Sequence, residues 1–218
     1  MILKQIYLAP DSLEFQSAEN SDFQFETRHI CNYIERRLAP ERIVMEGFNR
    51  IVVVGQSSPG DMFVHSTQVL SVPVLINMDE WRSLAEARRP DYYASLLKTG
   101  FDRCATRYPI PVDKMTLWLA ELKQDGYRNE WVFKKRTFAR YGIRCVLECK
   151  LTMRAFTLTL RVSGRQGEIF CDTILTTKPD EIIFHHQFKD IKVENGEIVV
   201  TKRTNDGPLY RMPIPSIQ

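Results

Sequence analysis

Ile143-Arg144-Cys145-Val146-Leu147-Glu148-Cys149-Lys150-Leu151 is the stretch whose reading decides the fold. Ile143, Cys145, Leu147, Cys149 and Leu151 alternate with Arg144, Glu148 and Lys150, and only Val146 breaks the polar set. A period of two places the first group on one face of a strand and the second in water. Downstream, Phe156, Leu158, Leu160 and Val162 alternate with Thr157, Thr159, Arg161 and Ser163, and Thr152–Ala155 is short enough to make a hairpin. Ser163-Gly164-Arg165-Gln166-Gly167 reads as the next turn, since glycine supplies the positive φ of tight reversals. Glu168–Thr176 reads as a third strand, Lys178-Pro179-Asp180 as a break, and Glu181–His185 as a return to strand. Asn195-Gly196 between Ile191–Glu194 and Glu197–Lys202 predicts a two-residue type I′ hairpin. A sheet with one apolar face needs a cover. The fold class expected is therefore α+β, a C-terminal antiparallel meander covered by helices from the middle of the chain.

Those helices are legible. Asn77 with Glu80 resembles a capping box and opens a helix expected to reach Arg88. Pro90 or Asp91 opens a second, with Tyr93, Leu96, Leu97, Phe101 and Cys104 as its apolar stripe. Tyr108-Pro109-Ile110-Pro111 ends it. Asp113 is expected to cap a third, with Met115, Trp118, Leu119 and Leu122 on one face and Gly126 at its close. Further upstream, Ile2–Leu8 reads as a short strand, Pro10–Asp22 as a loop and Thr27–Leu38 as a helix. Arg42–Glu46 and Arg50–Val54 read as strands joined around Gly47-Phe48-Asn49. Met62–His65 and Val69–Ile76 continue the β character, with Pro73 suggesting an edge. Trp131–Tyr141 fits a strand or a helix, with the strand preferred; Met212–Gln218 reads as an extended tail. No linker rich in Gly, Ser or Pro divides the chain. One domain over 1–218 is expected, with 1–126 and 127–218 as the alternative split.

The 218 residues, 44% hydrophobic and 26% charged, suit a globular protein with a substantial core. No run approaches the roughly 18 apolar residues of a membrane span. Met1–Ala9 is too short for a signal h-region. Five cysteines, an odd number without a Cys-x-x-Cys, point to reduced, buried thiols. A cytoplasmic protein without membrane contact is expected. The net charge of +3 hides an asymmetry. Met1–Ile110 carries 12 Lys+Arg against 14 Asp+Glu, and the remainder 18 against 13. Between Tyr127 and Arg165, 10 basic residues face only Glu130 and Glu148.

Little of the chain points to catalysis. Gly55-Gln56-Ser57-Ser58-Pro59-Gly60-Asp61-Met62 has glycines at P-loop spacing, but Asp61 and Met62 occupy the Lys and Ser/Thr places, and Asp61 would repel a phosphate. It reads as a turn. His185-His186 on a strand would point to opposite faces, so one metal could not take both. Asp79-Glu80 and Asp180-Glu181 sit at element starts, where carboxylates meet the helix dipole. No catalytic residue, cofactor or metal ligand is assigned, and no small-molecule ligand is expected. The constellation that stands out is Lys134-Lys135-Arg136 with Arg140, Arg144, Lys150 and Arg161, interleaved with Trp131, Phe133, Phe138 and Tyr141. Basic residues can neutralise phosphates while aromatics stack on unpaired bases. The same face can instead steer an acidic protein, and the aromatics are expected to be core, since large apolar rings usually bury.

Thr176-Thr177-Lys178-Pro179-Asp180-Glu181-Ile182-Ile183-Phe184, Phe188-Lys189-Asp190-Ile191 and Glu194-Asn195-Gly196-Glu197-Ile198 give the C-terminal meander its character. In this stretch the chain resembles the immunity proteins of bacterial polymorphic toxin systems. That resemblance implies tight, non-enzymatic binding to a cognate protein toxin, by blocking its active site or locking its conformation. The surface expected to bind is the strand face of Arg144, Lys150 and Arg161 with Lys134, Lys135 and Arg136 beside it. A nucleic-acid-binding module using the same residues is the alternative, and an enzyme the third.

Overall fold

A computed structural model of the protein describes residues 1–215. The chain divides into two compact units, Met1–Asn129 and Glu130–Gln218. The division lies beside the alternative boundary at 126/127.

The first unit holds a four-stranded sheet. Strands β1 (Gln5–Pro10), β2 (Arg50–Gln56) and β4 (Val69–Leu75) are parallel, and the two-residue β3 (Phe63–Val64) runs antiparallel on β4, in the order β1-β2-β4-β3. With β1 and β4 on its two sides, β2 has no place for the hairpin expected with Arg42–Glu46. That segment makes only an isolated bridge, Val44 to Ile2. Helix α1 (Ser17–Leu38) crosses from β1 to β2 and begins inside the stretch expected to be loop. Its hidden side includes Asn20, Glu26, Thr27, Arg28, His29 and Asn32 as well as Phe23, Ile30 and Ile34. A buried face this polar conceals the apolar period that sequence reading relies on.

Several of those polar groups seal the free edge of β1. Glu35 Oε1 accepts the Ile6 N–H at 2.8 Å, and Arg28 Nη1 donates to the Ile6 carbonyl at 2.8 Å. Thr27 Oγ1 donates to the Leu8 carbonyl at 3.0 Å. Arg28 and Glu35 are themselves paired at 3.1 Å. These side chains satisfy backbone groups that a neighbouring strand would otherwise take. At the opposite edge, His65 N–H reaches the Val69 carbonyl at 2.8 Å. The two-residue repeat turns Pro73 to the same side, beyond the end of β3, where its missing N–H costs nothing. Its carbonyl accepts from Arg103. Pro73 therefore marks an edge, as its presence in the sequence suggested.

Helix α2 (Met78–Ser83) is capped by Asn77 Oδ1, which accepts from Asp79 N–H and Glu80 N–H at 3.1 Å. It stops at Ser83, short of the expected Arg88, and a 3-10 turn, Glu86–Arg88, follows. Helix α3 (Arg89–Ala105) buries Tyr93, Leu96, Leu97, Phe101 and Cys104, the expected stripe. Its Gly100 sits so close to β2 that a Cβ there would meet Val53 Cγ2 at 2.5 Å. Helix α4 (Val112–Gln124) also buries its expected face, but Asp113 lies in its first turn and Pro111 holds the cap position. α3 packs on β2 and β4, and α4 on α1 and α3.

The second unit is built from two antiparallel sheets. β5 (Asn129–Phe138), β6 (Ile143–Leu151), β7 (Phe156–Gly164) and β8 (Gly167–Thr177) form one in sequence order. β9 (Asp190–Glu194), β10 (Glu197–Thr201) and β11 (Pro208–Pro213) form the other, with β10 central. The α+β class is the expected one, and Trp131–Phe138 is the preferred strand. Asn195 and Gly196 have φ of +51° and +80°, the two left-handed residues of a type I′ turn. Residues 216–218 of the expected tail lie outside the described residues.

The apolar face of the meander is covered from within the unit. Ile143, Cys145, Leu147, Cys149 and Leu151 share a core with Phe156, Leu158, Leu160, Val162, Ile191, Ile198 and Val200. The expected strand Glu181–His185 is instead the short helix α5 (Glu181–Phe184), because Asp180 Oδ1 accepts the Ile182 N–H at 2.9 Å and starts a turn. That helix stacks Phe184 on Phe156 at 3.8 Å, with Phe188 on Phe156 at 5.6 Å. The edge strand β8 is interrupted by two register shifts against β7. Asp172, cross-strand from buried Leu160, is an exposed charge on the inner side of that edge.

Candidate functional site

Alternation on β6 and β7 sends one residue set into the core and the other to the outer face. Lys150 pairs across with Thr157, Glu148 with Thr159, and Val146 with Arg161; β8 brings Thr173 beside Thr159 and Cys171 beside Arg161. These residues, apart from the buried Val146, line an open groove of about 700 Å³ together with Glu130 and Val132 from β5 and Asp172 from β8. The Thr159 and Thr173 hydroxyls lie 3.4 Å apart.

The charges in this groove are internally matched. Arg161 Nη2 lies 3.2 Å from Glu148 Oε2, and Arg161 Nη1 also bonds Glu168. These hydrogen bonds, Glu148 first, raise the guanidinium pKa above its already high range. Lys150 Nζ pairs with Glu130 at 3.3 Å. Glu130 and Glu148, the two acidic residues inside the basic block, thus sit against two of its cations. Asp172 also borders the groove, but by its register its side chain belongs to the inner side of β8. The groove threonines offer hydroxyls that can donate or accept.

The remaining expected site residues are elsewhere. Arg136 makes a two-pronged bond to Asp190 at 3.0 and 2.7 Å, and Lys134 lies 3.7 Å from the same carboxylate. The bond from Arg136 lowers the Asp190 pKa. Lys135 and Arg144 are exposed and, among the described residues, have no ion-pair partner. The six residues therefore do not assemble into one continuous basic face. Lys150 and Arg161 share the groove, Lys134 and Arg136 share Asp190, and Lys135 and Arg144 stand apart. Trp131, Phe133, Phe138 and Tyr141 pack against the core, so their rings are largely committed. Sequence reading passed over the groove threonines, whose only signal was alternation on the polar side of β7.

The other motifs have structural roles. Gly60 at the end of the Gly55 loop gives its carbonyl to Arg103 Nη2 at 2.8 Å. Asp180 caps α5, and Asp79 and Glu80 occupy the first turn of α2. His185 and His186 follow α5 instead of lying on a strand, with ring centroids 5.6 Å apart. Among the described residues no group of three His, Cys, Asp or Glu is placed to hold a metal ion. Burial pushes the Cys145 thiol up to about 11 and the Cys104 thiol up to about 12. Cys171 is exposed, unlike the other four cysteines, which are buried as expected. No helix among the described residues is long and apolar enough to cross a membrane.

A second hollow, about 420 Å³, opens beside the ends of β2 and β4 and is lined by Phe15, Leu75, Ile76 and Met78 with Asp79 and Arg82. The carboxyl ends of parallel strands commonly receive ligands. Here the Arg82 guanidinium is already held by Glu19 at 2.8 Å and Asp79 at 2.6 Å, which leaves little cationic capacity for an anion.

No protein-family model matches the chain, and comparison with curated proteins and with solved structures likewise finds no match.

Proposed function

We propose that the protein is a non-enzymatic binding protein that neutralises a cognate bacterial toxin in the cytoplasm, by covering the toxin's active site or holding its conformation. The partner is a protein, and it engages the outer groove of the β5–β8 sheet. The observation that carries this reading is the matched charge of the groove. Glu130–Lys150 and Glu148–Arg161–Glu168 pair both cations and leave a polar, mildly acidic surface on paired strands. Such a surface gives a protein segment hydroxyls and oriented ion pairs to complement, and it has little electrostatic pull on a phosphate backbone. Two of the thiols a nucleophilic mechanism could draw on, Cys104 and Cys145, are buried with raised pKa values, the opposite of an activated thiolate.

The test is affinity capture from nuclease-treated lysate of the source cells, using wild type, Thr159→Val and Thr159→Trp. One stoichiometric protein should be recovered by wild type and Thr159→Val and lost with Thr159→Trp, which fills the groove. The recovered protein, expressed alone, should arrest growth, and co-expression should restore it. Recovery that disappears on nuclease treatment, or capture indifferent to Thr159→Trp, would overturn the reading.

A further inference from the structure

Several cations of the second unit are paired with carboxylates, while others, Lys135 among them, are not. Lys134, Arg136, Lys150, Arg161, Lys189 and Arg211 all lie against carboxylates. Arg140, Arg144 and Arg165 are exposed and, among the described residues, have no acidic partner. The meander brings these three together. The β5–β6 turn, with Arg140, and the β7–β8 turn, with Arg165, emerge at the same end of the sheet. The Gly142 carbonyl oxygen lies 3.9 Å from the position a Cβ on Gly164 would take. Arg144, at the start of β6, is cross-strand from Ser163 at the end of β7. Neighbouring strands are about 4.8 Å apart, so the two turns lie on the order of 10 Å apart.

We propose that this end of the sheet is a contact site for the phosphate backbone of a nucleic acid strand, held by Arg140, Arg144 and Arg165. The choice of phosphate over an acidic protein follows from what surrounds the arginines. Residues 139–142 and 164–167 carry no exposed large apolar side chain; the nearest, the partly exposed Ile169, lies against Gly164, and Tyr141 packs partly against the core. A stable protein interface depends on buried aromatic and aliphatic anchors, whereas backbone contact with nucleic acid draws its affinity from phosphate neutralisation. The guanidinium fork matches a phosphate in two-pronged geometry. With the neighbouring rings committed to the core, binding is independent of base sequence. The inference does not rest on the groove reading, and the two surfaces are separately testable.

The experiment is fluorescence anisotropy of the full chain with a labelled single-stranded DNA 20-mer of mixed sequence, titrated across salt. Three phosphate contacts predict a log–log salt slope of about −2 and a loss of about twentyfold between 50 and 200 mM salt. Arg144→Ala with Arg165→Ala should flatten that slope to about −0.7. Lys4→Ala with Arg88→Ala, which removes the same charge from the first unit, should leave it unchanged, as should Thr159→Trp. Circular dichroism melting confirms that each variant is folded. A slope near zero, an equal effect of the control pair, or equal binding of poly-glutamate would overturn the proposal. The last result would assign the site to an acidic protein.

Discussion

The two main sheets solve the same problem by opposite means. Each has an edge strand whose backbone groups could recruit another chain. In the first unit, α1 closes the β1 edge with buried polar side chains: Glu35 and Arg28 take both backbone groups of Ile6, and Thr27 takes the Leu8 carbonyl. In the second unit, β8 stays open to solvent and is blunted by two register shifts and by Asp172 on its inner side. The first device places charges in the interior, where an unmatched partner is costly. The second places a charge where it resists pairing, at little cost in stability. Interior polarity therefore concentrates in the first unit, while the surface polarity of the second is free to serve binding.

Breaking the first device should have the largest effect. Glu35→Ala leaves the Arg28 guanidinium buried without its carboxylate and the Ile6 N–H without an acceptor. The expected loss is about 3–5 kcal/mol, read by urea denaturation. Pairing Glu35→Leu with Arg28→Met should not restore wild-type stability, because both backbone groups of Ile6 stay orphaned. Full recovery in the double variant would show that the strand edge needs no substitute.

Acid should weaken the first unit before the second. Burial depresses the His29 pKa to about 4, while Glu26 supplies a carbonyl at 2.7 Å. The folded form holds this imidazole neutral, whereas in the unfolded chain it binds a proton below about 6.5. Stability from this group is complete above that pH and declines as pH falls towards 4, by about 2–3 kcal/mol at pH 4.5. Trp81 and Trp118 fluorescence in a Trp131→Phe background follows the first unit alone. His29→Gln should remove most of the slope between pH 7 and 4.5, and an unaltered slope would assign the acid sensitivity elsewhere.

The smallest change in stability, within about 0.5 kcal/mol, is expected for Asp172→Val on the exposed strand. Its consequence is association. With the inner charge gone, β8 becomes a flatter and more apolar edge, and sedimentation should detect concentration-dependent self-pairing that wild type lacks. A strictly unchanged sedimentation profile would mean that the register shifts alone protect the edge.

Legibility in the sequence followed the same division. The meander was readable because its core residues alternate with polar ones and its turns carry Gly167 and Asn195-Gly196, each at the positive φ a tight reversal needs. Helices α3 and α4 were readable because their buried stripes are apolar. The start of α1 was not, since Asn20, Glu26, Arg28 and His29 are polar yet buried, and Glu26 and Arg28 meet partners distant in sequence, Arg89, Tyr93 and Ile6. Asp180-Glu181 before Ile182 and Ile183 suited a strand as well as a capped turn, and packing of Phe184 onto Phe156 accompanies the helix. The basic constellation was visible as composition, but composition does not say which carboxylate faces which cation.

The sequence by itself determined the α+β class, the C-terminal meander and its hairpin turns, because these depend on local backbone preference and on a period of two or 3.6 residues. Only the tertiary structure decided that β1, β2 and β4 run parallel, that α1 side chains seal a strand edge, and that Lys150 and Arg161 are matched while Arg140, Arg144 and Arg165 are not. Those outcomes depend on contacts between residues far apart in the chain. Charge matching acts over a few ångströms of space, and spacing along a sequence carries that distance only within a single turn or strand.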